Sequence, residues 1–170
     1  EVVNPTKKIK ELEQKLSLSN TFQNKINLAD EYRNQKDYNN AILYYEKALE
    51  GKFKNNTHTI NKVLQCYFQI KNYGKVVDYG KKIPLDTSFK GSICMYAIAL
   101  ENCKYFEEAE LQFRKTNIRY SNYGERLQLS EFLVRIDKQQ EAKIVLKEIV
   151  GEIDNMTEIN QKKHRIVYLE

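Results

Sequence analysis

Apolar residues along this chain recur at helical rather than strand spacing. Over residues 38–50, Ala41, Ile42, Tyr45, Ala48 and Leu49 follow one another at steps of one, three, three and one, the stripe of a helix with one buried face. Asp37 is placed to cap it, and Gly51 stands where a left-handed C-cap is expected. A helix carrying Ile26, Leu28, Ala29 and Tyr32 precedes it, opened by Asn20 with Gln23 as a capping box and closed by the polar run 34–37. The pair therefore predicts a helical hairpin.

The same layout returns three times. Ala41, Val76, Ala109 and Ala142 are separated by 35, 33 and 33 residues, each inside a similar segment, and a period in that range means a stacked repeat array. In the second copy Ile60, Val63, Leu64 and Tyr67 precede the turn Lys71-Asn72-Tyr73, then Val76, Val77 and Ile83, with Pro84 as a stop. Gly80, where the other copies hold Tyr45, Phe113 and Leu146, suggests close backbone approach. The third copy runs Ile93, Tyr96, Ala97 and Leu100, then Lys104-Tyr105-Phe106, then Ala109, Leu111 and Phe113. The fourth runs Leu129, Phe132 and Leu133, then Asp137-Lys138, then Ala142, Val145, Leu146, Ile149 and Val150, with Gly151 closing it.

An extra helix is expected at each end. Asn4-Pro5 starts the first, whose narrow stripe Ile9, Leu12 and Leu16 suits a helix packed on one neighbour. Asn155 and Glu158 resemble a capping box before the last, which carries Ile159, Ile166 and Val167 and the basic run Lys162-Lys163-His164-Arg165. The expected organisation is one domain over 1–170: an end helix at 1–18, repeats at 20–53, 56–86, 88–120 and 122–152, and a capping helix at 155–170. Each hairpin has more apolar surface than two helices can cover, so stacking must bury the rest.

Composition narrows the function. With 41% hydrophobic and 30% charged residues the chain is ordered, and 6 Gly and 2 Pro are sparse punctuation for a β-rich fold. No apolar run reaches the length of a bilayer span, so these residues do not insert in a membrane. The start at Glu1 rather than Met reads as a fragment of a longer protein. Cys66, Cys94 and Cys103 form an odd, unpatterned set; the last two share a predicted helix about 13 Å apart, beyond disulfide reach, and point to a reducing, cytoplasmic compartment. Two His with no metal-ligand spacing, no nucleophile and base pair and no Gly-rich phosphate loop argue against an enzyme, a metal or a cofactor.

The net charge of +5 is uneven: Lys52, Lys54, Lys62, Lys71, Lys75, Lys81 and Lys82 face the single acid Asp78. That excess is a solvated face or a docking surface for an acidic partner or a phosphate backbone. With Tyr67, Phe68 and Tyr73 nearby it is the only support for nucleic acid, a reading disfavoured because those aromatics fall at core-filling positions and Arg is scarce.

The residues Leu28-Ala29, Tyr32, Asp37-Tyr38, Ala41, Tyr45 and Ala48, and again ALENCKYFEEAELQF over 99–113, resemble the tetratricopeptide repeat. The resemblance covers about 22–152 and implies an all-α, right-handed superhelical solenoid of helix-turn-helix repeats. It departs from the family where the usual Trp and Pro are mostly missing. More loosely, the chain resembles bacterial repeat proteins whose array follows a short membrane segment, which implies a tether outside these residues.

The family implies a non-catalytic interaction scaffold holding a peptide or partner helix in a concave groove lined by the first helix of each hairpin. Carried over, the groove shows Asn27, Asp30, Arg33 and Asn34 from copy one, and Lys62, Gln65, Phe68 and Gln69 from copy two. Copies three and four add Met95, Ile98, Glu101, Glu131, Val134 and Arg135. Phe68, Met95 and Ile98 offer an apolar floor. The Lys and Asn set that clamps a C-terminal carboxylate is absent, and Asp30 would repel one. A third reading is self-association through the groove or the end helices.

Overall fold

The computed structural model describes residues 5–83 and 89–163. They form α1 (Pro5–Leu18), α2 (Phe22–Asn34), α3 (Tyr38–Ala48), α4 (Thr57–Gln69), α5 (Tyr73–Gly80), α6 (Lys90–Asn102), α7 (Phe106–Lys115), α8 (Tyr123–Arg135), α9 (Gln139–Asp154) and α10 (Glu158–Lys163), with a 3-10 turn at Gly51–Phe53. The expected roles of Asn4, Pro84, His164, Arg165, Ile166 and Val167, and of the Ile159, Lys162 and Lys163 side chains, lie outside the described residues. The chain divides into two compact units, Glu1–Ser92 and Ile93–Glu170.

Local chemistry starts and stops each helix. Side chains of Thr21, Asp37, Asn56 and Asn72 each accept a hydrogen bond from the backbone N–H three residues on, satisfying a first-turn donor that has no helical partner. Thr21, not Asn20, caps α2. An N-cap must directly precede the first helical residue with extended backbone, and Thr21 does so at φ −95°, ψ 159°.

The four hairpin turns share one device. Lys36, Lys71, Lys104 and Asp137 all have φ between 58° and 69°. In each turn the next residue's N–H reaches back to the carbonyls of Tyr32, Tyr67, Leu100 and Leu133 respectively, the Schellman pattern that normally uses glycine. These left-handed residues repeat with the register of the buried small residues. A side chain there costs about 1–2 kcal/mol, partly offset by glycine's extra freedom when unfolded. Replacing Lys36, Lys71 or Lys104 with Gly is therefore expected to raise stability by roughly 0.5–1 kcal/mol each, read as an increase in urea midpoint, with a smaller gain at Asp137 because Asp tolerates this conformation better.

In the first unit α1 lays half-buried Ile9, Leu12 and Leu16 on α2. The pair is fastened by Lys8 on the buried Glu31, and by the Tyr32 hydroxyl donating to Glu13 at 3.0 Å. Ala41, Tyr45, Val63, Leu64 and Val76 are fully buried in this unit, and Gly80 is buried too. In the second unit Ala109 and Phe113 of α7 are fully buried, and the Phe113 ring lies 4.8 Å from that of Phe132 on α8.

Three local readings are corrected. Leu111 is 59% exposed, because a step of two turns it away from the face shared by Ala109, Gln112 and Phe113. Gly151 does not close α9, which runs three residues further and buries Glu152 and Ile153, while Leu146 and Val150 sit at the exposed margin. Asn155 caps the C-terminus of α9, donating to the Gly151 carbonyl at 2.6 Å, rather than opening α10.

Candidate protein-interaction site

The predicted groove residues lie on α2 and α4 in the first unit and on α6 and α8 in the second. Within each unit the structure pairs many of them across neighbouring helices. Asp30 of α2 accepts from Lys62 Nζ of α4 at 2.7 and 2.8 Å, and also from the buried Tyr45 hydroxyl. Burial first, then the Asp30 carboxylate, raises the Tyr45 phenol well above its ordinary pKa. Arg33 donates to Gln65 Oε1 at 3.3 Å, Gln65 continues to the buried Ser92 hydroxyl at 3.5 Å, and Ser92 donates to Asn61. Phe68 is half-buried edge-on against Tyr73, Asn27 is exposed and accepts from Gln23, and Asn34 and Gln69 are exposed. Most charged groove groups of this unit are thus committed to one another.

The second unit differs. Arg135 of α8 donates to both oxygens of Glu101 on α6, from Nε at 2.7 Å and Nη2 at 3.0 Å, and Cys94 donates to Gln128 at 2.6 Å. Beside these rungs opens a cleft of about 430 Å³ lined by Ile98, Glu101, Asn102, Lys104, Phe106, Phe113, Gln128, Glu131 and Arg135. Met95 and Ile98 are half-buried, and Glu131 and Arg135 are exposed. Gln128 and Asn102 were missed as groove residues. Their signal was present, since they hold the repeat positions of Met95 and Arg135 one 33-residue period away.

The lysine run is not one patch. Lys62 is taken by Asp30, Lys71 and Lys75 lie at the start of α5, and Lys81 and Lys82 lie past its other end. Lys52 and Lys54 lie in and just past the 3-10 turn that follows α3, and the Tyr79 hydroxyl at the end of α5 donates to Glu46 near the end of α3 at 2.7 Å. Tyr67 donates to the same carboxylate oxygen at 2.8 Å with its ring stacked on Tyr79, so both are built into the packing.

The thiols are quiet. Burial pushes Cys66 up to about 11 and Cys94 up to about 12, which leaves both protonated at neutral pH, and all three cysteines are free. Among the described residues no cluster of His, Cys, Asp or Glu could hold a metal, and no helix is long and apolar enough to cross a membrane.

The family model described as tetratricopeptide repeat matches residues 23–54, nearly all of the α2–α3 hairpin with its left-handed turn. The chain thus carries a tetratricopeptide repeat at residues 23–54. Solved structures carry the same fold over most of its length. A MamA RS-1 ArsTM double mutant superposes with a TM-score of 0.78 at 15% identity, covering 88% of this chain and 85% of that one. MamA 41-end from Desulfovibrio magneticus RS-1 gives 0.76 at 15% identity, covering 87% and 85%. A Podosopora anserina protein described as a kinesin light chain with nearly identical TPR-like repeats gives 0.67 at 13% identity, covering 87% and 86%. At such identities the likeness is one of fold: all-helical, in sequential antiparallel pairs. No curated protein matches the sequence. Tetratricopeptide-repeat domains are in general protein-interaction modules, and that is the level at which the fold speaks to function.

Proposed function

We propose that this tetratricopeptide-repeat chain is a non-catalytic scaffold that holds a peptide or helix of a partner protein against the first helices of its hairpins, with the main seat on α6 and α8. The observation that carries this reading is the cleft of about 430 Å³ between those two helices. It combines what a peptide needs: apolar surface from Ile98 and Phe106 for an anchor side chain, and the amides of Asn102 and Gln128 for backbone groups. On the first unit the equivalent charges satisfy each other, so Asp30, Lys62, Arg33 and Gln65 serve chiefly to hold α2 on α4.

The test is capture of partners from lysate by the native chain beside an Ile98→Ser, Gln128→Ala variant, followed by affinity measurement on each captured protein. Losing the anchor surface is expected to weaken a groove partner about 5- to 30-fold, since burying one aliphatic side chain contributes roughly 1–2 kcal/mol. A melting temperature within a few degrees of native shows that the variant is folded. Equal affinity for both chains would move the binding surface off α6 and α8.

A further inference from the structure

Resting on that reading of the α6–α8 cleft, the distribution of charge within it points to the chemistry of the segment it takes. Four ionisable side chains line the cleft, and they are not equally engaged. Arg135 spends two donors on Glu101 in a bidentate pair. Its remaining nitrogen stands 3.8 Å from Glu131, whose side chain stays 62% exposed. Lys104, in the turn after α6, holds its ammonium 5.9 Å from the centre of the Phe106 ring. The amide nitrogen of Asn102 is donated to the Ile98 carbonyl at 2.8 Å. Of the two acids lining the cleft, Glu131 is thus the one open to an incoming ligand, 62% exposed against 16% for Glu101.

Ile98 and Glu131 occupy the same repeat position, 33 residues apart, on two helices tied together by the Glu101–Arg135 rung. Packed helices lie about 8–10 Å apart. In an extended peptide, side chains two residues apart point to the same side at a separation of roughly 6.6 Å, and the length of a lysine or arginine stem covers the remainder. Adjacent residues point to opposite sides and cannot serve both places.

We propose that the cleft binds an extended segment carrying an aliphatic residue and a lysine or arginine two positions apart, the aliphatic side chain on Ile98 and the edge of Phe106, the cation on Glu131. The chain as a whole carries a net charge of +5, so a preference for a cationic peptide runs against its overall field and must be local.

The experiment is an NMR titration of the isotopically labelled full chain with short capped alanine-based peptides containing Leu-Ala-Lys, Leu-Ala-Gln, Leu-Ala-Glu or the adjacent pair Leu-Lys. The expected result is a shift of the Ile98 methyl and Glu131 amide signals, with Leu-Ala-Lys binding about 2- to 5-fold more tightly than Leu-Ala-Gln and Leu-Lys, the size of one exposed ion pair. Leu-Ala-Glu should bind most weakly. Glu131→Gln should erase the preference for Leu-Ala-Lys over Leu-Ala-Gln. Equal binding of all four peptides at the cleft would overturn this proposal and leave the scaffold reading intact. A Lys preference that survives Glu131→Gln would also overturn it. Failure of every peptide to perturb the cleft signals would sink both.

Discussion

Glu152→Ala is expected to destabilise the protein by about 3–5 kcal/mol, because it removes the buried counter-charge of the Arg126 guanidinium and leaves it only the longer pair with half-exposed Glu148. The two side chains are 2% and 0% exposed and meet at 2.7 Å. Arg126 also donates to Asn117 at 2.9 Å and to Glu148 at 3.3 Å, and its guanidinium lies over the Tyr123 ring. Glu152 in turn accepts from the Tyr120 N–H at 2.7 Å and from Arg119 at 3.2 Å. Between α7 and α8 the chain turns left-handed at two non-glycine residues, Tyr120 at φ 59° and Asn122 at φ 54°. Each is costly on its own, and Glu152 holds the first in place. Urea denaturation followed by circular dichroism measures the loss. The double replacement Arg126→Met, Glu152→Leu should recover most of it, since an apolar pair of similar size needs no charge compensation.

The same pair sets a pH dependence. Burial works to raise the Glu152 carboxyl, but Arg126, the Tyr120 amide and Arg119 outweigh it and hold the group below its ordinary value. A carboxyl whose folded pKa is depressed contributes stability that is fully present above the unfolded value of about 4.3 and is lost as pH falls through the lower folded value. Stability of the native chain should therefore decline with acidification below about pH 4.3. The part of that slope due to Glu152 should vanish in the double variant.

Phe113→Ala should cost a comparable 3–5 kcal/mol, and Leu111→Ala, two residues away, should stay within about 0.5 kcal/mol. Phe113 is fully buried with its ring 4.8 Å from Phe132, so truncation removes apolar contact and leaves a cavity. Leu111 is mostly in solvent and loses little. The shift in urea midpoint at constant slope checks both. Equal losses at the two sites would mean that the α7 face has been assigned wrongly.

That contrast marks how far the sequence can be read. Hairpin positions, the turns at residues 36, 71, 104 and 137, and the buried Ala41, Tyr45, Ala109, Phe113 and Ala142 all follow from spacing and cap chemistry. The misread positions were those where neighbours in sequence compete. Leu111 looked apolar enough to be core, and Gly151 looked like a stop until the burial of Ile153 carried α9 past it. In the candidate site the first-helix positions were legible through the repeat register, and their state of engagement was not. Asp30 looked like a free acid and is in fact neutralised by Lys62, 32 residues away.

Read alone, the chain dictates where helices begin and end, how they pair and which stripe each one buries. Those features depend on residues within about five positions of each other, linked by backbone hydrogen bonds and the 3.6-residue turn. Stacking dictates the rest: a fully buried Arg126, a Glu46 shared by two tyrosines, a first-helix face closed by ion pairs in one unit and opened into a cleft in the other. The paired groups there are 21 to 34 residues apart. Their charges meet only once hydrophobic burial has set one hairpin against the next, and at that range no local pattern reveals which donor will reach which acceptor.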